Sequence, residues 1–337
     1  EKWKNGILLV YDLGGGTFDV SVIKVTDGCC EVLAVGGDDH LGGEDFDNIL
    51  VKYAVSEFQR KQKHDVSNNA RALCRLKAAC EDAKRYLSKS TFASIEVEEL
   101  FDGDDLHCKI TQARFNELCK DLIERTLDPV KKVLKDAKLQ KSDINYVLLV
   151  GGSTRIPLIQ KTLSEFFDNK NLNFDINPDE AVANGAAILA AHLSKHFDTS
   201  IQNIRLLDVI PRSLGWESYN GPDDKIGFFR VAFPRNTKFP CETKQFACTR
   251  FDNQKEAEFN IYEGEDRLVQ NNKLLGRFSL THITPAPARV TEIEVTSVID
   301  ENGIFTVTAM DKQNGSTNSL AILQDKGRLT ENELIKM

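Results

Sequence analysis

Two acidic residues and a run of glycines lie close together near the beginning of the sequence. An apolar run ends at Asp12, and Asp19 opens a second run in which every other residue is apolar. This alternation predicts two β-strands joined by a tight turn. The turn residues are Gly14, Gly15, Gly16 and Thr17. The N–H groups of the turn and the Thr17 hydroxyl are suited to bind phosphate oxygens, and the two carboxylates are suited to bind a hydrated Mg²⁺ ion. An ordinary glycine-rich hairpin with two solvated acids fits the same pattern.

A second group of polar side chains lies on a predicted helix. Residues 69–89 have the clearest helical period in the chain, and four polar residues recur within it at i, i+3, i+4 and i+7. These residues are Glu81, Lys84, Arg85 and Ser88. The shared face fits either a solvated stripe with Glu–Lys and Glu–Arg pairs or a ligand-binding face with two cations, a carboxylate and a hydroxyl.

Another glycine turn follows a buried strand in the middle of the chain. The apolar run 146–150 leads directly into Gly151, Gly152 and Ser153, and a helix is predicted from about Pro157. A strand, a glycine turn and a helix N-terminus together form a natural site for an anion or another ligand. A further helix, capped by Asn177, is predicted to run to about residue 193.

The composition is that of a globular chain long enough for two domains. It has 337 residues, 41% hydrophobic and 28% charged, and a net charge of −8. This charge argues against nucleic acid or an anionic membrane as the main partner, and no apolar run has membrane-spanning length. The eight cysteines form no Cys-x-x-Cys pair, so we expect reduced thiols in a cytosol-like compartment.

The pattern of the chain changes beyond about residue 197. A polar stretch is followed by short alternating segments separated by turn signals, which predicts a linker and then an all-β sandwich. No Ser/His/Asp grouping and no metal-ligand spacing occurs there, which favours a binding module. The sequence lacks an initiator Met, and a capping box at 330–333 announces a helix close to its end. We therefore expect a piece of a longer protein.

These motifs together resemble those of the seventy-kilodalton heat-shock chaperones, which are ATP-driven folding machines. The matching stretches are DLGGGTFDVS (12–21), HLGGEDFDN (40–48), CEDAKRYLS (80–88), LVGGSTRIP (149–157), NPDEAVANGAA (177–187), YEGE (262–265), LLGRFSL (274–280) and DKGRLT (325–330). They cover essentially the whole chain in colinear order and resemble the eukaryotic cytosolic members most. The resemblance implies a cytoplasmic location, with the nucleus as a second compartment.

The resemblance implies an α/β unit, the second lobe of an actin-like nucleotide-binding domain, followed by a β-sandwich. The implied bounds are 1–196 for the lobe, 197–209 for the linker, 210–328 for the sandwich and 329–337 for the start of a helical lid. The implied cofactors are ATP or ADP with Mg²⁺. The family's first lobe is not matched, and with it the first phosphate loop and the catalytic lysine. Since phosphoryl transfer needs charge stabilisation from all sides of the phosphate, we expect this stretch alone to be inactive in hydrolysis.

The family's nucleotide-site residues transfer to positions that match its motifs. Asp12, Asp19 and Thr17 are the implied catalytic residues, with both aspartates in the Mg²⁺ shell. The phosphates are implied to contact Gly14, Gly15, Gly16 and Thr17, and the adenine and ribose to contact Glu81, Lys84, Arg85 and Ser88. Gly151, Gly152, Ser153 and Arg155 are implied to close the adenosine pocket from the other side, with Asp179 nearby. Cys80 is implied to lie beside the nucleotide, where an inert buried thiol is the simpler interpretation.

The implied peptide groove departs from the family pattern at several positions. The matching residues are Trp216, Ser218, Tyr219, Phe246, Ala257, Phe259 and Ile304. Trp216 replaces a usual aliphatic residue and Ala257 replaces a usual Val, so we expect an altered peptide preference. Arg205 stands where the linker is usually apolar, and a buried Arg there would be costly unless paired.

The resemblance also implies partners. These are extended hydrophobic segments of unfolded polypeptides, together with J-domain and nucleotide-exchange co-chaperones. Two alternatives differ in class: a truncated, non-catalytic peptide-binding relative with an inactive ATPase lobe, and an actin-like sugar kinase. The predicted β-sandwich disfavours the kinase, because a kinase needs no such module.

Overall fold

The computed structural model describes residues 5–173, 176–194, 205–221 and 225–322. The chain divides into two compact units, Glu1–Leu206 and Leu207–Met337, called unit 1 and unit 2 below. The predicted start of the lid (329–337) and residues 197–204 of the predicted linker lie outside the described residues. The domain bounds expected from the sequence stay predictions.

Unit 1 combines a mixed β-sheet, a separate hairpin and six described helices. Its strands are β1 (Asn5–Leu13), β2 (Phe18–Thr26), β3 (Cys29–Asp38), β4 (Phe92–Phe101), β5 (Asp104–Thr111), β6 (Tyr146–Val150) and β7 (Arg205–Leu207), the last ending at the unit boundary. Its helices are α1 (Gly43–Gln62), α2 (Ala70–Leu87), α3 (Gln112–Arg125), α4 (Leu127–Asp136), α5 (Pro157–Phe166) and α6 (Ala181–Leu193).

The order of strands in the main sheet brings two glycine turns together. The order is β6-β1-β2-β3-β7, with β1 antiparallel to β2 and parallel to β6. The predicted hairpin is therefore present, and its inward residues Phe18, Val20 and Val22 are buried. Because β1 and β6 run in the same direction, with Asp12 opposite Val150, the turns that follow the two strands lie at the same edge of the sheet.

The helices begin and end close to their predicted bounds. The side chain of Asn69 caps α2 by accepting from the Ala72 N–H at 2.9 Å. The chain breaks between α3 and α4 at Thr126, so that Pro129 occupies the first turn of α4. The carbonyl of Asn177 accepts from the N–H of Ala181, the first residue of α6, at 3.0 Å. The helix therefore begins three residues later than predicted, with Glu180 and not Asn177 at the N-cap position.

The linker arginine is not buried. The backbone N–H of Arg205 donates to the carbonyl of Gly28 at 3.2 Å, where β7 joins the edge of the sheet beside β3. The Arg205 side chain is exposed. The desolvation cost that a buried arginine would carry therefore does not arise in this arrangement, because the guanidinium stays in water.

Unit 2 contains two four-stranded sheets, and no α-helix occurs among its described residues. Its strands are β8 (Leu214–Ser218), β9 (Phe228–Phe233), β10 (Cys241–Cys248), β11 (Glu256–Glu263), β12 (Lys273–Thr281), β13 (Glu292–Ile299), β14 (Phe305–Asp311) and β15 (Thr317–Ile322). The sheet orders are β10-β13-β14-β15 and β12-β11-β8-β9. Alternate residues of both sheets, such as Ile261 and Val295, share one hydrophobic core, as the alternating sequence predicts.

Candidate functional site

Three backbone segments of unit 1 meet at the turn between β1 and β2. The Gly14 N–H donates to the Thr17 carbonyl at 3.0 Å and closes the turn. The Gly14 carbonyl then accepts from the N–H of Gly43 at 2.9 Å and from the hydroxyl of Ser153 at 2.9 Å. The turn is thus held by the start of α1 and by the segment after β6.

Glycine is required where these segments touch. A Cβ on Gly42 would lie 2.4 Å from the Gly15 carbonyl oxygen, and a Cβ on Gly151 would lie 2.2 Å from the Leu13 carbonyl oxygen. By contrast, a Cβ on Gly15 or Gly16 would meet nothing within 4 Å. The backbone of these two glycines is exposed, which leaves it accessible to a ligand.

The two candidate metal-binding aspartates face each other across the hairpin. Asp12 and Asp19 are opposite residues in the β1–β2 register. Asp12 is half-buried and Asp19 is exposed. Burial raises the pKa of Asp12, and the negative charge of Asp19 raises it further. The two carboxylates therefore repel each other when both are ionised, and a bound cation would relieve this repulsion.

Replacing Asp12 by Asn is expected to stabilise the chain at neutral pH. The folded-state pKa of Asp12 lies above its unfolded value, so the wild-type protein loses stability as pH rises from the unfolded pKa through the folded one. The melting temperature of Asp12→Asn should equal that of wild type near pH 4 and exceed it at pH 7. Scans between these values test this, and a less stable variant at pH 7 would contradict it.

Lys84 points into unit 1 and does not lie on the open face of α2. Its side chain is 11% exposed and its Nζ is 2.9 Å from Asp47 Oδ2 on α1. The same ammonium donates to the Gly43 carbonyl at 3.0 Å. Burial raises the pKa of Asp47, and the bond from Lys84 opposes that shift. Lys84 thereby fixes the start of α1, which in turn holds the Gly14 turn.

The rest of the predicted face of α2 is open to solvent. Arg85 Nη2 lies 2.6 Å from Glu81 Oε1, and both side chains are largely exposed. The Ser88 hydroxyl donates to the Lys84 carbonyl at 3.4 Å at the end of the helix. The pairing of Glu81 and Arg85 matches the solvated interpretation of the stripe, and their binding to adenosine stays a prediction.

Polar side chains at the turn after β6 form a second exposed cluster, besides the exposed pair on α2. Arg155 Nη2 is 2.6 Å from Asp179 Oδ2 and 3.1 Å from Asn177 Oδ1. A Cβ on Gly152 would lie 3.1 Å from Asp179 Oδ1. The structure thus brings Gly152, Arg155 and Asp179 together, with Ser153 linking this turn to Gly14.

Cys80 lies inside unit 1. It is fully buried, and burial raises the pKa of its thiol to about 12. The thiol therefore stays protonated at neutral pH, in agreement with an inert buried cysteine.

A cavity of about 350 Å³ lies in unit 2 and contains most of the predicted groove residues. Those that line it are Trp216, Ser218, Tyr219, Phe246, Ala257 and Phe259. Ile304, at the turn between β13 and β14, is not among the lining residues. Trp216 and Phe259 are buried, with ring centroids 6.0 Å apart, so they build the wall, while Tyr219 and Phe246 are exposed.

The described residues contain neither a cluster of metal-ligating side chains nor a helix that could span a membrane. No group of three or more His, Cys, Asp and Glu side chains there has the arrangement of a metal site. Among the helices of the same residues, none combines the length and apolarity needed to cross a membrane.

Comparison with known proteins identifies the family. The family model described as Hsp70 protein matches residues 1–337, the whole chain. The chain belongs to the Hsp70 family. A heat shock 70 kDa protein of Neurospora crassa is 51% identical over 331 residues, which are 98% of this chain and 50% of that protein. The heat shock cognate 70 kDa protein 3 of Dictyostelium discoideum is 50% identical over 330 residues, 98% of this chain and 51% of that protein.

The chain spans about half the length of these Hsp70 relatives. A heat shock 70 kDa protein of Penicillium citrinum is 50% identical over 331 residues, 98% of this chain and 64% of that protein.

Sequence reasoning missed three residues that build the candidate site. Gly42 and Gly43 contact the turn directly, and Asp47 holds Lys84. All three belong to the stretch HLGGEDFDN (40–48), which supported the family resemblance without being given a site role. The paired glycines were the available signal, because they allow a close backbone approach.

Proposed function

We propose that this protein is an ATP-dependent folding chaperone. In this proposal unit 1 is the second lobe of an actin-like nucleotide-binding domain and binds ATP or ADP with Mg²⁺. Unit 2 binds extended hydrophobic segments of unfolded polypeptides. Membership of the Hsp70 family supports the proposal for the protein as a whole.

The proposed nucleotide binding by unit 1 rests mainly on one observation, which is that two glycine-containing segments contact the turn at Gly14. The start of α1 and the turn after β6 fix this turn, while the backbone at Gly15 and Gly16 stays accessible. Accessible N–H groups in a fixed turn are suited to bind phosphate oxygens, because the turn does not have to be ordered when the ligand binds. Thr17, which is exposed beside them, would add a hydroxyl donor.

The acidic pair would hold the cation. Asp12 and Asp19 supply two carboxylates, and burial together with the charge of Asp19 raises the pKa of Asp12. Mg²⁺ binds through a few carboxylates, waters and substrate phosphates. When bound, Mg²⁺ neutralises phosphate charge. In the proposed activity Asp12 and Asp19 also orient the attacking water. Glu81, Arg85, Gly152 and Arg155 would contact the nucleoside, with Lys84 acting through the start of α1.

The cavity in unit 2 supports the proposed peptide binding. Exposed rings border it, and a cavity with both aromatic and polar lining residues can bury an apolar side chain of a ligand and bond to its polar groups. By family resemblance, J-domain and nucleotide-exchange co-chaperones are proposed partners, and the cytoplasm is the proposed location. We further propose that this stretch alone binds nucleotide weakly and hydrolyses it poorly.

Calorimetric titration of Mg·ADP into the chain tests the nucleotide half. Wild type should release heat of binding, and chelating Mg²⁺ should weaken the affinity. Asp12→Asn should lower the affinity about tenfold or more, because a charge-assisted contact is lost. Asp27→Asn is the matched control, because Asp27 lies in the β2–β3 turn with φ of 48°, which Asn tolerates.

Two results would contradict this half of the proposal. One is a wild-type chain that binds no Mg·ADP, and the other is equal weakening by Asp12→Asn and Asp27→Asn. If peptide binding remained while nucleotide binding was absent, the non-catalytic peptide-binding alternative would be favoured instead.

A further inference from the structure

Two alanines are among the residues that separate the cavity in unit 2 from the hydrophobic core. Ala247 on β10 and Ala257 on β11 both line the cavity and pack against the hydrophobic core. Ile293 on β13 lines it as well and is buried. The two alanines, which we call the base, leave depth for a large side chain, within a volume of about 350 Å³.

The rim of the same cavity is aromatic. Tyr219, Phe246 and Phe251 line it, with 41%, 45% and 52% of their surfaces exposed. The Arg250 guanidinium lies 4.2 Å from the centroid of the Tyr219 ring and 5.2 Å from that of Phe251. This cation–π arrangement ties the segment after β8 to the segment after β10. The rings are therefore held beside the opening.

Polar atoms of the wall are bonded to one another. The Tyr219 hydroxyl donates to Glu217 Oε1 at 2.9 Å, and Asn260 Nδ2 donates to Glu217 Oε2 at 2.7 Å. Trp216 Nε1 donates to Gln245 Oε1 at 2.9 Å. These bonds satisfy the Glu217 carboxylate and the Trp216 indole within the protein. Charged side chains, those of Arg230, Glu258 and Arg289, line other parts of the cavity, so the apolar contacts for a ligand are those of the aromatic rings and the two alanines.

We propose that this cavity selects peptides by an aromatic side chain and that Ala257 determines this preference. The inference rests on the proposed peptide binding by unit 2. A peptide Phe or Trp has the size to reach a base of alanines, and it gains ring–ring contacts at the rim that Leu lacks. A Val at position 257 would add two methyl groups to the base and fit a smaller aliphatic side chain.

Fluorescence anisotropy with labelled seven-residue peptides tests this on the 337-residue chain. The peptides have identical apolar flanks and differ only at the central residue, which is Ala, Leu, Phe or Trp. Wild type should bind the Phe and Trp peptides roughly three- to tenfold more tightly than the Leu peptide. Ala257→Val should remove this difference, while its affinity for the Leu peptide changes by less than about twofold.

Two further variants keep the test decisive. Ala232→Val is the matched control, because Ala232 packs against the same core from β9 and does not line the cavity; it should retain the aromatic preference. Tyr219→Leu removes one ring of the rim and should reduce the preference even if Ala257→Val fails to fold.

The outcomes separate the two proposals. If wild type binds none of the peptides, the proposed peptide binding itself is wrong. If it binds the Leu peptide as tightly as the aromatic ones, or if the aromatic preference survives both Ala257→Val and Tyr219→Leu, the aromatic preference is overturned while peptide binding stands.

Discussion

Lys84→Met is expected to destabilise unit 1 by about 3–5 kcal/mol. The substitution removes the cation that lies 2.9 Å from Asp47, in a pair whose side chains are 11% and 5% exposed. Asp47 Oδ1 already has no hydrogen-bond partner, so the carboxylate would remain buried and uncompensated. Urea unfolding followed by far-UV circular dichroism measures this, because all described α-helices belong to unit 1.

Two further variants distinguish a buried pair from a general effect of losing a lysine. Lys77→Met removes the exposed partner of Glu44, which lies 2.8 Å away, and should cost less than about 1 kcal/mol. The double variant Lys84→Met/Asp47→Leu should recover most of the lost stability, since it leaves no buried charge. A loss in Lys84→Met no larger than in Lys77→Met would contradict the assigned role of Lys84.

The pH dependence of Lys84→Met follows from the same pair. Burial already raises the pKa of Asp47, and removing Lys84 should raise it further. Protonation of Asp47 then removes the uncompensated charge, so the difference in unfolding free energy between the variant and wild type should shrink as pH falls.

Gly151→Ala is expected to disrupt the site and to destabilise unit 1 by about 3 kcal/mol or more. Gly151 has φ of 82° and ψ of 141°, a conformation that L-residues rarely adopt. Its new Cβ would lie 2.2 Å from the Leu13 carbonyl oxygen and 2.8 Å from Asp12 Oδ1. Since the first contact is with backbone, β1 would have to move, and Mg·ADP affinity should fall with stability.

Gly103→Ala separates the cost of a positive φ from the cost of crowding by the new Cβ, the two causes of the expected loss of stability in Gly151→Ala. Gly103 has φ of 83°, and a Cβ there would meet nothing within 4 Å. Its replacement carries only the cost of the left-handed backbone, about 1–2 kcal/mol. Equal losses in the two variants, measured by urea unfolding, would show that crowding at Gly151 contributes nothing.

Local patterns predicted the elements well because they depend on neighbouring residues. The alternation after Asp19 predicts β2, the second strand of the hairpin, and the helical period of 69–89 predicts α2. Both depend on side-chain periods of two and 3.6 residues that are readable along the chain.

Contacts between distant segments were not readable in this way. Ser153 reaches Gly14 across 139 residues, and Lys84 reaches Asp47 across 37. The spacing of Lys84 and Arg85 placed them on one face, whereas the packing of α2 against α1 buries Lys84 and leaves Arg85 in water. Helical spacing alone does not define which way the helix is rotated about its axis.

Family resemblance supplied the site residues that spacing could not. It selected Arg155 and Asp179, which pair at the turn after β6, and six of the seven groove residues that it selected line the cavity in unit 2. It did not predict the Arg250–Tyr219 contact or the bonds of Glu217, because a sequence motif does not show which side chains touch one another.

Hydrogen–deuterium exchange with and without Mg·ADP tests the central claim most directly. The account predicts slower exchange in peptides covering residues 12–19, 42–47 and 151–155, since nucleotide would hold the turns that meet at Gly14. It predicts no change at the β4–β5 hairpin, which serves as an internal reference. Unchanged exchange in all three segments at saturating Mg·ADP would contradict the account of unit 1 as a nucleotide-binding lobe.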